Sequence, residues 1–184
     1  MAGKVGGILT LPGFAPPSAM SQPPDDIAPY AARRQRLMEQ MRAEGGGIAI
    51  LATAPEATRN RDAEYPYRHD SDFFYLTGFT EPGAWLVLTA GATDRAVLFC
   101  RPRHIEHEIW EGKRFGPEAA AAYFGFDDAH PLDALDELMP ALLQDHATLY
   151  APLAGDKRSD GRLHRWLAAA REASRGGHAP PSRQ

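Results

Sequence analysis

The sequence predicts an α/β fold in which a layered mixed sheet is flanked by helices. Three observations point there. Short continuous apolar runs of strand length recur, such as Ile48-Ala49-Ile50-Leu51-Ala52. Apolar residues at helical spacing fill several of the intervening segments. Gly, Pro and small polar residues separate the two kinds of segment.

Residues 1–25 are rich in Gly, Pro and Ser and read as a disordered leader, with Met20 a second candidate start besides Met1. The folded domain is expected over 26–176. Asp25-Asp26 suits the cap of a first helix and Pro29 its first turn. Ile27, Tyr30, Ala31, Leu37, Met38 and Met41 form its apolar stripe, with Arg33, Arg34 and Arg36 expected to face solvent. Gly45-Gly46-Gly47 ends that helix, and the run from Ile48 to Ala52 follows as a buried strand.

The stretch from Pro55 to Arg68 is polar and turn-forming, so a loop is expected there. Phe73-Phe74-Tyr75-Leu76-Thr77 is aromatic and closes on Gly78, which predicts a second strand. Ala84 to Thr89 and Arg95 to Cys100 read as two strands joined by a hairpin loop over Ala90-Gly91-Ala92-Thr93-Asp94. Arg101 to Phe115 is charged. Pro117 opens a short helix that Gly125 closes. Leu132, Leu135, Leu138, Met139, Leu142 and Leu143 form another amphipathic pattern, where Pro140 predicts a kink or early stop. Thr148 to Ala151 is a strand candidate. A last helix starting near Ser159-Asp160 carries the stripe Leu163, Trp166, Leu167 and Ala170, and Gly176-Gly177 ends it. Residues 177–184 read as a linker to an absent domain.

Twenty basic and 24 acidic residues give a formal charge of −4, without the basic run that a nucleic-acid partner needs. No apolar stretch approaches the roughly 20 residues that span a bilayer. The single cysteine, Cys100, fits a reducing cytoplasmic setting and reads as a small buried residue in a strand.

The most specific stretch is Arg59-Asn60-Arg61-Asp62-Ala63-Glu64-Tyr65-Pro66-Tyr67-Arg68-His69-Asp70-Ser71-Asp72-Phe73-Phe74-Tyr75-Leu76-Thr77-Gly78-Phe79-Thr80-Glu81-Pro82. It resembles the N-terminal domain of the Xaa-Pro aminopeptidases (aminopeptidase P) of the creatinase/prolidase superfamily. A second block, Glu108-Ile109-Trp110-Glu111-Gly112-Lys113-Arg114, and the following Gly116-Pro117-Glu118-Ala119 also resemble that family. The resemblance runs from about Tyr30 to the C-terminus.

The resemblance implies a domain that is itself non-catalytic, walls the active site and makes subunit contacts in a metal-dependent homo-oligomer. The full enzyme would remove the residue preceding proline from a peptide. Its two manganese ions would sit on a separate C-terminal domain of pita-bread fold, so no metal ligand is carried over onto this chain. Two positions match residues that lie near substrate in such enzymes. Asp62 would pair with the free α-amino group, and Trp110 would pack on the proline ring. Read without the family, Arg68 with Asp62, Glu64, Asp70 and Asp72 suggests a hydrogen-bonded network around the tyrosine-rich loop.

Other constellations carry less. His104-Ile105-Glu106-His107-Glu108 matches neither His-Glu-x-x-His nor its inverse, and no spacing supplies a third ligand. His69-Asp70-Ser71 places triad residue types side by side, whereas triads assemble from separate elements. Gly45-Gly46-Gly47 lacks the lysine of a phosphate loop. The alternative to an enzyme part is a stand-alone interaction module, or the remnant of a truncated gene.

Overall fold

The structure is a computed structural model that describes residues 24–55, 58–60, 63–64, 67–104, 106, 114–144, 146–152, 157–174 and 182–183. Its centre is a mixed sheet in the order β6-β5-β4-β1-β7-β8. The strands are β1 (Gly47–Ala52), β4 (Trp85–Ala90), β5 (Arg95–Cys100), β6 (Asp128–Pro131), β7 (Thr148–Tyr150) and the two-residue β8 (Ser182–Arg183). A separate ribbon pairs β2 (Thr58–Asn60) with β3 (Ala63–Glu64), inside the stretch expected to be all loop. β4 runs antiparallel to both β1 and β5, while β6 joins β5, and β7 joins β1, in parallel. The helices are α1 (Ala28–Ala43), α2 (Ser71–Thr77), α3 (Gly116–Phe124), α4 (Leu135–Gln144) and α5 (Lys157–Ser174).

Strand alternation divides the core in two. Leu86, Leu88, Leu98 and Cys100 point to one face and pack with Met38, Met41, Phe73, Ala120 and Phe124 from α1, α2 and α3. Trp85, Val87, Val97 and Phe99 point to the other and meet Met139, Leu143, Trp166 and Leu167 from α4 and α5. Helices on both faces explain why the central strands are almost wholly apolar: β4 is buried throughout. Trp85 and Trp166 meet edge to face at 5.1 Å, and the Trp166 indole donates to Asp136 Oδ1 at 2.8 Å.

Four expectations are corrected. Phe73 to Thr77 is helical rather than a strand, because Asp70 caps the start: its Oδ1 accepts from the amides of Asp72 and Phe73 at 3.0 and 2.9 Å. Gly78, left-handed at φ 67°, closes the same helix. Arg34 is buried, at 2% exposure, rather than solvent-facing. Of the kink or early stop expected at Pro140, the early stop does not occur: Pro140 sits inside α4 and the helix runs on to Gln144. β6, Asp-Ala-His-Pro, has no apolar run to announce it. It is an edge strand, held where Asp127 Oδ2 accepts from the amide of Ala96 at 2.7 Å and the Asp127 amide donates to the Ala96 carbonyl at 2.9 Å.

The remaining expected elements appear. α1 has Pro29 in its first turn, the Ala28 amide donates to Asp26 Oδ1 at 2.9 Å, and the three following glycines all have positive φ. The β4–β5 hairpin turns over Gly91 to Asp94. α3 begins at Gly116-Pro117 and ends on left-handed Gly125. α5 starts two residues ahead of Ser159.

Candidate functional site

The segment from Tyr67 to Glu81 forms the connection between β1 and β4, and its polar groups serve local structure. Thr53, just past β1, places its hydroxyl 2.6 Å from the Tyr67 hydroxyl, and it accepts from the Asp70 amide at 3.3 Å. This fixes the loop to the end of β1 where α2 begins. Asp70 then spends its carboxylate on the α2 cap, so that carboxylate serves the helix start rather than an Arg68 network. Thr77 donates its hydroxyl to the Phe73 carbonyl at 2.7 Å and accepts from the Phe79 amide at 3.0 Å, which turns the chain out of the helix. The His69 ring stacks on Phe74 at 4.2 Å, so it is an aromatic neighbour and no part of a catalytic triad.

Two charged side chains are buried beneath this segment. Arg34 donates Nη1 to the Leu76 carbonyl at 3.0 Å and Nη2 to the carbonyls of Phe124 and Gly125 at 3.1 and 2.6 Å. Those carbonyls lie at the C-terminal ends of α2 and α3, where helix carbonyls lack partners and the dipole is negative. The guanidinium also lies 4.6 Å from the Phe126 ring centre. Burial pulls its pKa down to about 10, with Asp127 opposing, and it remains a cation at neutral pH.

Glu81 is 5% exposed. Its Oε1 accepts from the Phe115 amide at 2.8 Å, while Oε2 has no hydrogen-bond partner. Burial pushes its pKa up to about 7, against the pull of the Phe115 amide, Arg114 and Arg101. Phe115 belongs to an aromatic cluster with Phe79, Tyr123 and Phe124, at ring separations of 6.1, 6.0 and 5.0 Å. Cys100 is buried nearby, and burial raises its thiol well above the ordinary range, so it is not a poised nucleophile.

On the outer side of α1 an open groove of about 770 Å³ runs past Arg33, Leu37, Leu51, Asp72, Tyr75 and Leu76. Tyr75 is 52% exposed there, with the Arg33 guanidinium 4.2 Å from its ring centre. The lining carries no histidine or cysteine.

The two residues expected near substrate, Asp62 and Trp110, lie outside the described residues. Asp62 falls in sequence between Asn60 and Ala63, which pair across the β2–β3 ribbon. Trp110 falls between Glu106 and Arg114. Residues 1–23 and 175–181 are likewise outside, as is His107. Among the described residues, no three His, Cys, Asp or Glu side chains come together to hold a metal ion. They do not fit the dinuclear centre that the family implies. Nor is any helix among them long and apolar enough to cross a membrane.

Arg34 and Glu81 were not singled out by sequence reasoning. A signal existed for Arg34: it lies four residues after Tyr30 and four before Met38, on the buried stripe itself. For Glu81 the signal was weaker, an acidic residue two positions after the buried Phe79 and just before a turn.

A mixed sheet covered on both faces, with its β1–β4 connection bound by a buried arginine and a buried glutamate, defines a two-sided α/β domain. Residues 30–150 match the family described as aminopeptidase P, N-terminal domain, and the chain belongs to that family. It is 38% identical over 148 residues to the Xaa-Pro aminopeptidase of Escherichia coli K12, covering 79% of this chain and 33% of the relative. It is 30% identical over 147 residues to human Xaa-Pro aminopeptidase 3, covering 68% of this chain and 29% of the relative. Among solved structures, Pseudomonas aeruginosa aminopeptidase PepP superposes with a TM-score of 0.81 at 43% identity, over 86% of this chain and 36% of that one. A variant of Escherichia coli aminopeptidase P in complex with substrate gives 0.80 at 36% identity, over the same shares. The chain thus spans about one third of the length of the relatives it matches.

Proposed function

We propose that this domain is the non-catalytic front part of a metal-dependent Xaa-Pro aminopeptidase, which removes the residue preceding proline. The observation that carries this reading is the superposition on Pseudomonas aeruginosa PepP, close over 86% of this chain yet covering 36% of the other. In this reading the domain walls the active site and makes subunit contacts in a cytoplasmic homo-oligomer. The two manganese ions would belong to the remaining two thirds of the enzyme, which would supply the activated water and stabilise the developing oxyanion. No step of that chemistry is assigned to the residues described here.

The role proposed for Asp62 is an ion pair with the substrate's α-amino group. A fixed carboxylate there would measure one residue ahead of proline and leave no room for a longer N-terminal extension. Trp110 would pack its ring against the proline.

Two assays test the proposal. The purified chain is expected to release no N-terminal residue from a Xaa-Pro peptide in the presence of manganese, and release above background would overturn it. In a full-length enzyme carrying this domain, Asp62→Asn and Trp110→Ala are each expected to lower kcat/KM on such peptides by roughly 10- to 100-fold, the range of one charge-assisted bond or one aromatic contact. Unchanged kcat/KM in both variants would remove the two residues from the site.

A further inference from the structure

We propose that Glu81 is a proton-operated latch between the β1–β4 connection and the start of α3. The geometry has three parts. The carboxyl is enclosed, and one oxygen is fixed on the Phe115 amide at 2.8 Å. The other oxygen is equally enclosed and has no hydrogen-bond partner. Buried polar atoms are almost always paired, so a lone buried carboxyl oxygen calls for an explanation, and a bound proton supplies one.

Among the described residues, two cations act on it. Arg101 follows β5 and Arg114 precedes α3, and both favour the ionised form. The Arg101 guanidinium also lies over the adjoining turn, 3.9 Å from the position a side chain would take on Gly83. Cys100 is the other titratable neighbour, and it stays a neutral thiol. Phe79, two residues before Glu81, and Phe115 belong to a buried aromatic cluster with Phe124.

As a neutral acid, Glu81 presents a carbonyl oxygen to the Phe115 amide, and its proton stays on the second oxygen. When it ionises, the proton leaves to solvent and the charge resides on both oxygens. The Phe115 bond then becomes charge-assisted and shorter. The second oxygen, now a buried anion, attracts the nearer guanidinium of Arg101 or Arg114. The Phe115 bond favours the charge, but burial opposes it more strongly, so the enclosed arrangement that ties the start of α3 to the β1–β4 connection is held most firmly by the neutral acid and weakens as the pH rises. The balance between burial and the two cations places the change near neutrality.

The test uses the chain itself in solution. Two nuclear magnetic resonance signals are followed from pH 5 to 9: the Glu81 side-chain carbonyl carbon and the Phe115 amide proton. Both are expected to move together with one midpoint near 7, the amide moving downfield as its bond strengthens. Glu81→Gln keeps an acceptor for the amide but cannot ionise, so the Phe115 titration is expected to vanish. Arg114→Gln removes a cation that favours ionisation, so the midpoint is expected to rise. A Glu81 midpoint in the ordinary carboxylate range would overturn the proposal. So would a Phe115 titration that survives in Glu81→Gln, since another group would then be its cause.

Discussion

The two buried charges in this domain meet opposite electrostatic conditions. Arg34 is a cation placed against three carbonyls at helix C-termini, so its hydrogen bonds and the helix dipoles offset the cost of burial. Arg34→Met keeps the volume but leaves those carbonyls without donors. It is expected to lower unfolding free energy by roughly 2–5 kcal/mol, measured by chemical denaturation, from the usual cost of orphaned buried polar groups. Glu81 is an anion with half its hydrogen bonding missing. Its folded-state pKa, about 7, lies above the ordinary 4.5. A raised pKa means that protonation favours the fold. The stabilising contribution is complete below about pH 4.5 and is lost as pH rises through about 7. Denaturation curves across that window should show stability falling by up to about 3 kcal/mol from this group, a fall that Glu81→Gln abolishes.

At the level of single elements, α2 shows how a cap can outvote composition. Phe-Phe-Tyr-Leu-Thr favours a strand by residue type. Asp70 in front and Gly78 behind supply the two ends of a helix, and Arg34 takes up the Leu76 carbonyl at its last turn. Asp70→Ala is expected to cost about 1 kcal/mol, the usual worth of an N-cap. The start of β1 is held more rigidly. Gly47 has φ 142°, and a Cβ there would meet the Thr148 carbonyl oxygen of β7 at 2.6 Å. Gly47→Ala is expected to push β1 and β7 apart, and its melting temperature should fall further than that of a substitution at exposed Gly91, where nothing lies within 4 Å.

Across the whole molecule, the sheet separates two independent apolar layers. α4 and α5 cover one face through Trp166 and Leu167, while α1, α2 and α3 cover the other through Met38, Phe73 and Phe124. Trp166→Ala removes the ring that meets Trp85 and frees Asp136 of its indole donor. A loss of roughly 3–5 kcal/mol is expected, as for other large-to-small changes in a core, which leaves little of the stability usual for one domain. The polar Tyr67-to-Glu81 connection lies on the α1 side, where it is bonded to β1 through Thr53 and to α3 through Glu81.

Much of this was legible in the amino-acid order. The β4–β5 hairpin, α1 with its glycine stop, and α3 between Pro117 and Gly125 follow from local patterns, because each is fixed by neighbours within a few residues. The α/β layering follows from strands apolar on both faces, since such strands need cover on both sides. The family was readable from the stretch between Arg59 and Pro82 and is borne out by the match over residues 30–150. Other features needed the folded chain. β6 has an edge position and polar residues, so its pairing depends on Asp127 reaching Ala96 across the sequence. Arg34 belongs to an apolar stripe only because the ends of α2 and α3, 42 and 90 residues away, bring carbonyls to it. Glu81 is an ordinary surface carboxylate by sequence. Folding leaves it 5% exposed and removes its water, and desolvation depends on what surrounds a group in space rather than on its neighbours along the chain.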